Sequence, residues 1–184
     1  MSASVIDLLT LKNEVFKSYL FWSGVLALKM IIVMPLLTGI QRFTTHAYVF
    51  WSAVLVIKML LMGPLTGIQR FKTKTFANPE DLLSKKDKVK FDDPNVERVR
   101  RAHRNDMENI LPFFAIGFLY VLTNPASFLA VNLFRAVALA RIAHTLVYAV
   151  VVVPQPARAI SFFVALAATA YMAQTLHNES HFSI

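Results

Sequence analysis

The sequence of 184 residues contains no cysteine, which excludes disulfides, thiolate metal sites and cysteine nucleophiles. Charge is also scarce, because Asp, Glu, Lys and Arg make up 16% of the residues, against about 25% in a soluble domain. Hydrophobic residues account for 56%, and the mean hydropathy is +0.52. This composition indicates an integral membrane protein. No small-x-small cleavage site follows the first apolar run, so we expect no cleaved signal peptide.

Acidic residues are fewer than basic ones, 11 against 19, and the formal net charge is +8. Eleven of the nineteen Lys and Arg lie between Arg70 and Arg104, and the positive-inside rule predicts that this loop is cytosolic. A turn at residues 154–156 is then cytosolic as well, while the turn at Asn124 and the C-terminus are luminal. Basic patches also bind nucleic acid, but the sequence offers no recognition fold or stacking platform, so we expect no such partner.

An internal repeat fills the N-terminal part of the chain. Residues 19–43 (copy 1) are repeated as residues 48–71 (copy 2). The two segments are identical at sixteen positions when a residue near Leu36 is treated as an insertion. About 25 residues at ~1.5 Å each are enough to cross a bilayer as a helix, and two crossings predict a tight hairpin turn at residues 44–47. Only copy 2 continues into the next loop, so we take it as the first helix of the core. Copy 1 is either a genuine extra segment or a joined alternative exon, and we favour the exon.

Three further apolar spans follow, separated by the turn signals Asn124-Pro125 and Pro154-Gln155-Pro156. The first begins near Asn95 or Val96 and is apolar over residues 109–123; the others cover 127–153 and 157–176. The predicted fold class is all-α, an integral membrane four-helix bundle preceded by a segment that duplicates its first helix. The predicted parts are a tail with the duplicate segment (1–47), the four-helix domain (48–176) and a polar C-terminal tail (177–184).

A polar and ionic stretch runs directly into membrane-type sequence at residues 97–110. If it is helical, Arg101, Arg104, Asn105 and Glu108 share one face, because they fall at i, i+3, i+4 and i+7. Charges at membrane depth are costly unless they are paired, solvated or used on a ligand. A positive-inside anchor explains the arginines but leaves the acidic and amide residues unexplained, and both interpretations stay open at this point.

Four motifs in sequence carry a resemblance to a known family: FANPED (76–81), VERVRRAHRNDMENILPF (96–113), ARIAHTLVY (140–148) and PQPARAISFF (154–163). Over roughly residues 48–176 the chain resembles the MAPEG superfamily of membrane glutathione enzymes, and within it the microsomal glutathione transferase branch. The resemblance implies homotrimers of four-helix subunits that hold glutathione between neighbouring subunits near the cytosol. It also implies the endoplasmic reticulum membrane, with the outer mitochondrial membrane as a further location.

The resemblance implies a role for particular residues. Arg158, beside the proline break, matches the catalytic arginine that stabilises the glutathione thiolate. Asp81 and His103 are secondary candidates, and Arg70 and Lys58 each have a structural alternative, as interfacial or snorkelling side chains. The implied glutathione-binding residues are Arg70, Arg101, Arg104, Asn105, Glu108, Arg141, His144 and Tyr148. His103 and His144 lack a second pair at ligand spacing, so no metal is expected.

The predicted function is conjugation of glutathione to hydrophobic electrophiles dissolved in the bilayer, with reduction of lipid hydroperoxides by the same thiolate. One alternative is an isomerase of the prostaglandin E synthase branch. In that branch Ser follows the catalytic arginine and Tyr occupies the next aromatic position. This chain has Ala159 and Phe162 at these positions, which argues against prostaglandin isomerisation. The other alternative is a non-enzymatic membrane scaffold whose arginines serve only topology and helix pairing.

Overall fold

The computed structural model describes residues 14–182, and four long helices make up most of them. Helix α1 spans Glu14–Thr73, α2 spans Pro94–Leu122, α3 spans Ser127–Thr145 and α4 spans Ala157–Phe182. A π-helical turn, Leu146–Val150, continues α3. Between α1 and α2 lie a 3-10 turn (Pro79–Asp81) and two short parallel strands, β1 (Thr75–Phe76) and β2 (Lys88–Val89). The predicted all-α class is confirmed.

The chain separates into two compact units, Met1–Phe43 and Thr44–Ile184, so the boundary falls between copy 1 and copy 2. The apolar side chains of copy 1 are exposed, among them Leu26 at 60%. Residues 44–47 are helical within α1, and the predicted hairpin turn at this place is therefore wrong. The sequence Thr-Thr-His-Ala contains neither glycine nor proline, so nothing local stops the helix.

Three helical stretches among the described residues are long and apolar enough to cross a membrane: Glu14–Thr73, Ser127–Val150 and Ala157–Asn178. Helix α2 falls outside this group because its N-terminal half is ionic. Its N-cap is Asp93, whose side chain accepts hydrogen bonds from the backbone N–H of Asn95 (3.0 Å) and Val96 (3.2 Å). Such a cap stabilises a helix by about 1 kcal/mol and fixes where the polar face begins.

The apolar half of α2 forms the main core with α3, α4 and copy 2. Phe113, Phe134 and Leu55 are fully buried in it, together with Met172 from α4. A smaller buried cluster lies at the end of the bundle that we predict to face the cytosol. It consists of Met62, Val99, Ala102 and Ala149, and Tyr148 packs against it. Because this cluster fixes the first turns of α2 against the π-helical turn, it sets the distance between the polar face of α2 and the end of α3.

Candidate functional site

The polar face predicted on α2 is present in the structure, and it forms one wall of a cavity of about 410 Å³. Arg101, Arg104, Asn105 and Glu108 all line this cavity. Arg101, Arg104 and Glu108 are exposed and Asn105 is half-buried, so the ionic groups border solvent rather than the apolar core. A cavity of this size is in the range that holds a small molecule, about 300–1,000 Å³.

The opposite wall comes from the end of α3 and the start of α4. It consists of His144, Tyr148, Arg158 and an apolar strip formed by Ala159, Phe162 and Phe163. The three arginines of the cavity face a single carboxylate, Glu108, so the charge of the lining is positive. Arginine forks match carboxylates and other planar anions. The cavity is therefore built to hold an anion next to an apolar surface.

Tyr148 connects two of the cationic groups. Its hydroxyl accepts a hydrogen bond from Nε of Arg101 at 3.3 Å, and the guanidinium carbon of Arg158 lies 4.6 Å from the centre of its ring. The His144 ring packs edge-on against it, with centroids 5.7 Å apart. Tyr148 lies in the π-helical turn, a distortion that is common at functional sites. One side chain thus sets the positions of both α2 and α4 arginines.

Arg141 lies behind the cavity and does not line it. Its side chain is completely buried, and its Nη2 donates to Oδ1 of Asn105 at 2.8 Å and to Oδ1 of Asp106 at 2.6 Å. Asp106 also accepts from Lys58 of copy 2 and from the Thr145 hydroxyl (3.4 Å). Arg141 therefore reaches the site through Asn105, and its predicted direct contact with glutathione stays a prediction.

Arg70 and Asp81 lie in a different place. Both line a second cavity, of about 370 Å³, at the end of α1, and Nη1 of Arg70 is buried without a hydrogen-bond partner in the described part of the chain. His103 is half-buried and is not among the residues of the first cavity. Within one chain, then, seven of the predicted site residues come together and Arg70, Asp81, His103 and Arg141 do not.

Two groups of residues were not predicted as parts of the site. Asp106 is fully buried, and nothing in the polar stretch, which also contains Glu97 and Glu108, indicated that it would pair with cations of two other helices. The apolar strip was not expected either, although Phe162 and Phe163 stand four and five residues after Arg158 in the sequence. Within residues 14–182 no group of three His, Asp or Glu is arranged to hold a metal ion.

Comparison with known proteins adds one family match and three similar proteins. Residues 48–176 match the MAPEG family. The chain is 47% identical over 122 residues to microsomal glutathione S-transferase 1 of Homo sapiens, covering 63% of this chain and 77% of that protein. To the Bos taurus protein of the same name it is 45% identical over 121 residues, with 62% and 77% covered. To prostaglandin E synthase of Mus musculus it is 45% identical over 85 residues, with 46% and 56% covered.

Proposed function

Because this chain belongs to the MAPEG family, we propose that it is a membrane-bound glutathione transferase that conjugates glutathione to hydrophobic electrophiles. The observation that carries this proposal is the cavity in which Arg101, Arg104 and Arg158 converge with Glu108 beside an apolar strip. The similarity to microsomal glutathione S-transferase 1 over 77% of that protein's length agrees with it.

The charges of the cavity suit glutathione. This tripeptide carries two carboxylates, one ammonium and one thiol, and the cavity offers arginines for the carboxylates and Glu108 for the ammonium. Asn105 adds an amide whose orientation is set, since its Oδ1 accepts from Arg141 at 2.8 Å. Its Nδ2 is then left to donate to a ligand acceptor. His144, buried in the same wall, has an Nδ1 without a partner in the described residues.

The reaction needs the thiolate, because a thiol titrates near ~8.5 and only its anion is a good nucleophile. A guanidinium beside the sulfur stabilises the anion and lowers the thiol pKa, and we assign this role to Arg158. With a halide, the sulfur forms a bond to the electrophilic carbon, the halide departs with its electron pair, and the thiol proton goes to solvent. With an enal, the sulfur adds to the β-carbon and the α-carbon takes a proton from solvent. With a lipid hydroperoxide the thiolate takes one oxygen, releasing the alcohol, and a second glutathione completes a disulfide with loss of water.

The apolar strip supplies the second half of the substrate site. Phe163 is 61% exposed and Phe162 is half-buried, so the aromatic wall reaches from the cavity to the outer surface of α4. An electrophile dissolved in the bilayer can reach the sulfur along this wall without crossing water. We propose on this basis that hydrophobic halides, enals and lipid hydroperoxides are the substrates.

Assembly explains why Arg70 lies in a separate cavity. If the subunits form a homotrimer with glutathione between neighbours, as the family resemblance implies, Arg70 of one subunit belongs to the site of the next. Its buried and unpartnered Nη1 is then a donor for a glutathione carboxylate. We further propose that the trimer resides in the endoplasmic reticulum membrane, and additionally in the outer mitochondrial membrane.

The proposal is tested by measuring glutathione-dependent turnover of an aryl halide by the purified protein in detergent. We expect a rate that saturates with both substrates and falls when Arg101 or Arg104 is replaced by lysine, since an ammonium lacks the fork of the guanidinium. The control is Arg135→Lys, an exposed arginine on α3 outside the cavity. Equal behaviour of all these lysine variants, or no turnover by the parent, would favour the scaffold.

A further inference from the structure

Copy 2 is held to the core by a small set of side chains. The Tyr48 hydroxyl donates to the carbonyl of Phe114 at 2.7 Å, and Leu55 is completely buried in the core cluster. The Lys58 ammonium pairs with Asp106. These three residues lie at i, i+7 and i+10 of α1, so they form one face of the helix.

Copy 1 has the same three residue types, Tyr, Leu and Lys, at the same spacing. Tyr19, Leu26 and Lys29 repeat Tyr48, Leu55 and Lys58 without any insertion between them. The neighbouring positions also agree, since copy 1 has Trp22, Ser23 and Met30 where copy 2 has Trp51, Ser52 and Met59. The residues of copy 2 that bond Phe114, fill the core and pair with Asp106 therefore have equivalents in copy 1, whereas the buried Met62 is matched by Val33.

The second halves of the copies differ by one residue. The extra Leu36 lies after the shared proline, so Arg42 is thirteen residues from Lys29, whereas Arg70 is twelve residues from Lys58. One residue turns an α-helix by about 100° and advances it by ~1.5 Å. With the first half of copy 1 docked like copy 2, Gln41 takes the position of Arg70, and Arg42 points about 100° away from it.

We propose that copy 1 is an alternative first helix that fits the same face of α2 and α3 as copy 2 but carries its terminal arginine out of register with the glutathione site. The partner of copy 1 is thus the core formed by residues 94–182, in a chain that lacks copy 2. The consequence for glutathione rests on the proposed function, because it assumes that Arg70 binds a glutathione carboxylate. The docking itself does not.

The physical basis of the docking is the buried carboxylate. Asp106 is fully buried and is paired with both Lys58 and Arg141, and a first helix without a cation at this level leaves that network incomplete. Lys29 supplies the cation in copy 1. The Thr44 hydroxyl lies 2.7 Å from that of Ser127. At the corresponding position copy 1 is preceded by Val15, which has no hydroxyl, so we expect a chain built on copy 1 to be somewhat less stable than the full chain.

The test uses two deletions in the full chain. Deletion of residues 44–71 joins Phe43 to Lys72 and leaves copy 1 as the first helix, while deletion of residues 19–47 leaves copy 2. We expect both proteins to insert in membranes, to have the same oligomeric size in detergent and to unfold cooperatively on heating. Lys29→Met should lower the unfolding temperature of the 44–71 deletion and leave that of the full chain unchanged, where Lys58 holds Asp106.

The register is tested by removing Leu36 from the 44–71 deletion. We expect this deletion to bind glutathione at least tenfold more weakly than the full chain, and removal of Leu36 to restore most of the affinity, because Arg42 then stands at the position of Arg70. Glutathione affinity is measured by calorimetry in detergent. The matched control inserts a leucine after Leu65 in the 19–47 deletion, which puts Arg70 thirteen residues from Lys58 and should weaken binding similarly.

Each result decides part of the proposal. Aggregation of the 44–71 deletion under conditions where the 19–47 deletion folds overturns the docking, and so does a Lys29→Met change without effect in the 44–71 deletion. Equal glutathione affinity with and without Leu36 overturns the register. Absence of glutathione binding by the full chain refutes the proposed function instead, and the Lys29 comparison still decides whether copy 1 docks.

Discussion

The guanidinium of Arg158 lies over the ring of Tyr148, with 4.6 Å between its carbon and the ring centre, and its side chain borders the cavity beside Phe162. Loss of one charge-assisted contact to a thiolate costs roughly 1.5–3 kcal/mol, which is about one to two orders of magnitude in rate. We therefore expect Arg158→Ala to bind glutathione nearly normally and to lose conjugation by that factor. The thiol pKa of bound glutathione, followed by thiolate absorbance, should rise.

Arg158→Lys separates charge from shape. An ammonium keeps the positive charge but has no planar fork and packs less well on the Tyr148 ring, so we expect partial activity between those of the parent and the alanine variant. Full conjugation by Arg158→Ala at saturating glutathione would remove this residue from the mechanism and leave Arg101 and Tyr148 as the groups to examine.

Asp106 of α2 joins three helices, because it pairs with a cation of α1 and with a cation of α3. It is fully buried and paired with Lys58, whose side chain is 11% exposed, and with the fully buried Arg141. Asp106→Asn removes the negative charge and leaves two buried cations facing each other, a change that costs about 3–5 kcal/mol when one partner of a buried pair is lost. We expect a large fall in the temperature of thermal unfolding in detergent.

The matched control for Asp106 is Glu97→Gln. Glu97 pairs with Arg100 on the outer surface of the same helix, and exposed pairs contribute about 0–1 kcal/mol. Its unfolding temperature should stay close to that of the parent. Equal stability of the two variants would mean that the Lys58–Asp106–Arg141 network does not hold the helices together.

At the scale of helices, Gly117 of α2 lies directly against the Tyr48 side chain of α1. A methyl group added there would lie 2.8 Å from Cε2 of Tyr48, whose hydroxyl is fixed by its bond to Phe114. Overpacking of this kind costs about 1–3 kcal/mol. We expect Gly117→Ala to lower the unfolding temperature and to weaken the seating of copy 2. Gly63→Ala is the control, since a methyl group there meets nothing within 4 Å, and equal destabilisation by both changes would contradict this account.

The helices and much of the site follow from the sequence because each rests on a local pattern. The start of α2 near Asn95, the Asn124-Pro125 turn and the i, i+3, i+4, i+7 face of Arg101 to Glu108 each depend on residues that lie close together in the sequence. In the structure α2 begins at Pro94, and Asn124 has the left-handed φ of 54° that ends it. These features were accordingly predicted with correct boundaries to within a residue or two.

Features that depend on contacts between distant elements were not predicted. The pairing of Asp106 with Lys58 and Arg141 spans 48 and 35 residues of sequence, and no periodicity records which cation meets which carboxylate. The hairpin at residues 44–47 was predicted from the need to cross a membrane twice, yet the local sequence contains no helix stop and the segment is helical. The separation of Arg70 from the first cavity likewise depends on packing beyond the range of any motif.

For the whole molecule, the boundary between the units Met1–Phe43 and Thr44–Ile184 predicts that copy 1 is dispensable when copy 2 is present. Deletion of residues 19–47 keeps Tyr48 and Lys58, which contact Phe114 and Asp106, and removes Thr44, which contacts Ser127. We expect deletion of residues 19–47 to leave a protein that inserts in membranes, binds glutathione and conjugates an aryl halide at rates close to those of the parent. Loss of both insertion and binding would show that copy 1 belongs to the working fold.

Orientation in the membrane is predicted from the eleven Lys and Arg between Arg70 and Arg104, because the positive-inside rule assigns such a loop to the cytosol. Because the chain has no cysteine, a single engineered thiol reports its side without background. In intact microsomes a membrane-impermeant maleimide should label Lys88→Cys directly, and should label Ala126→Cys, exposed at the opposite turn, only after the membrane is opened by detergent. The reverse labelling pattern would contradict the predicted topology. The cavity would then face the lumen, and glutathione would have to reach Arg158 from the lumen instead of the cytosol.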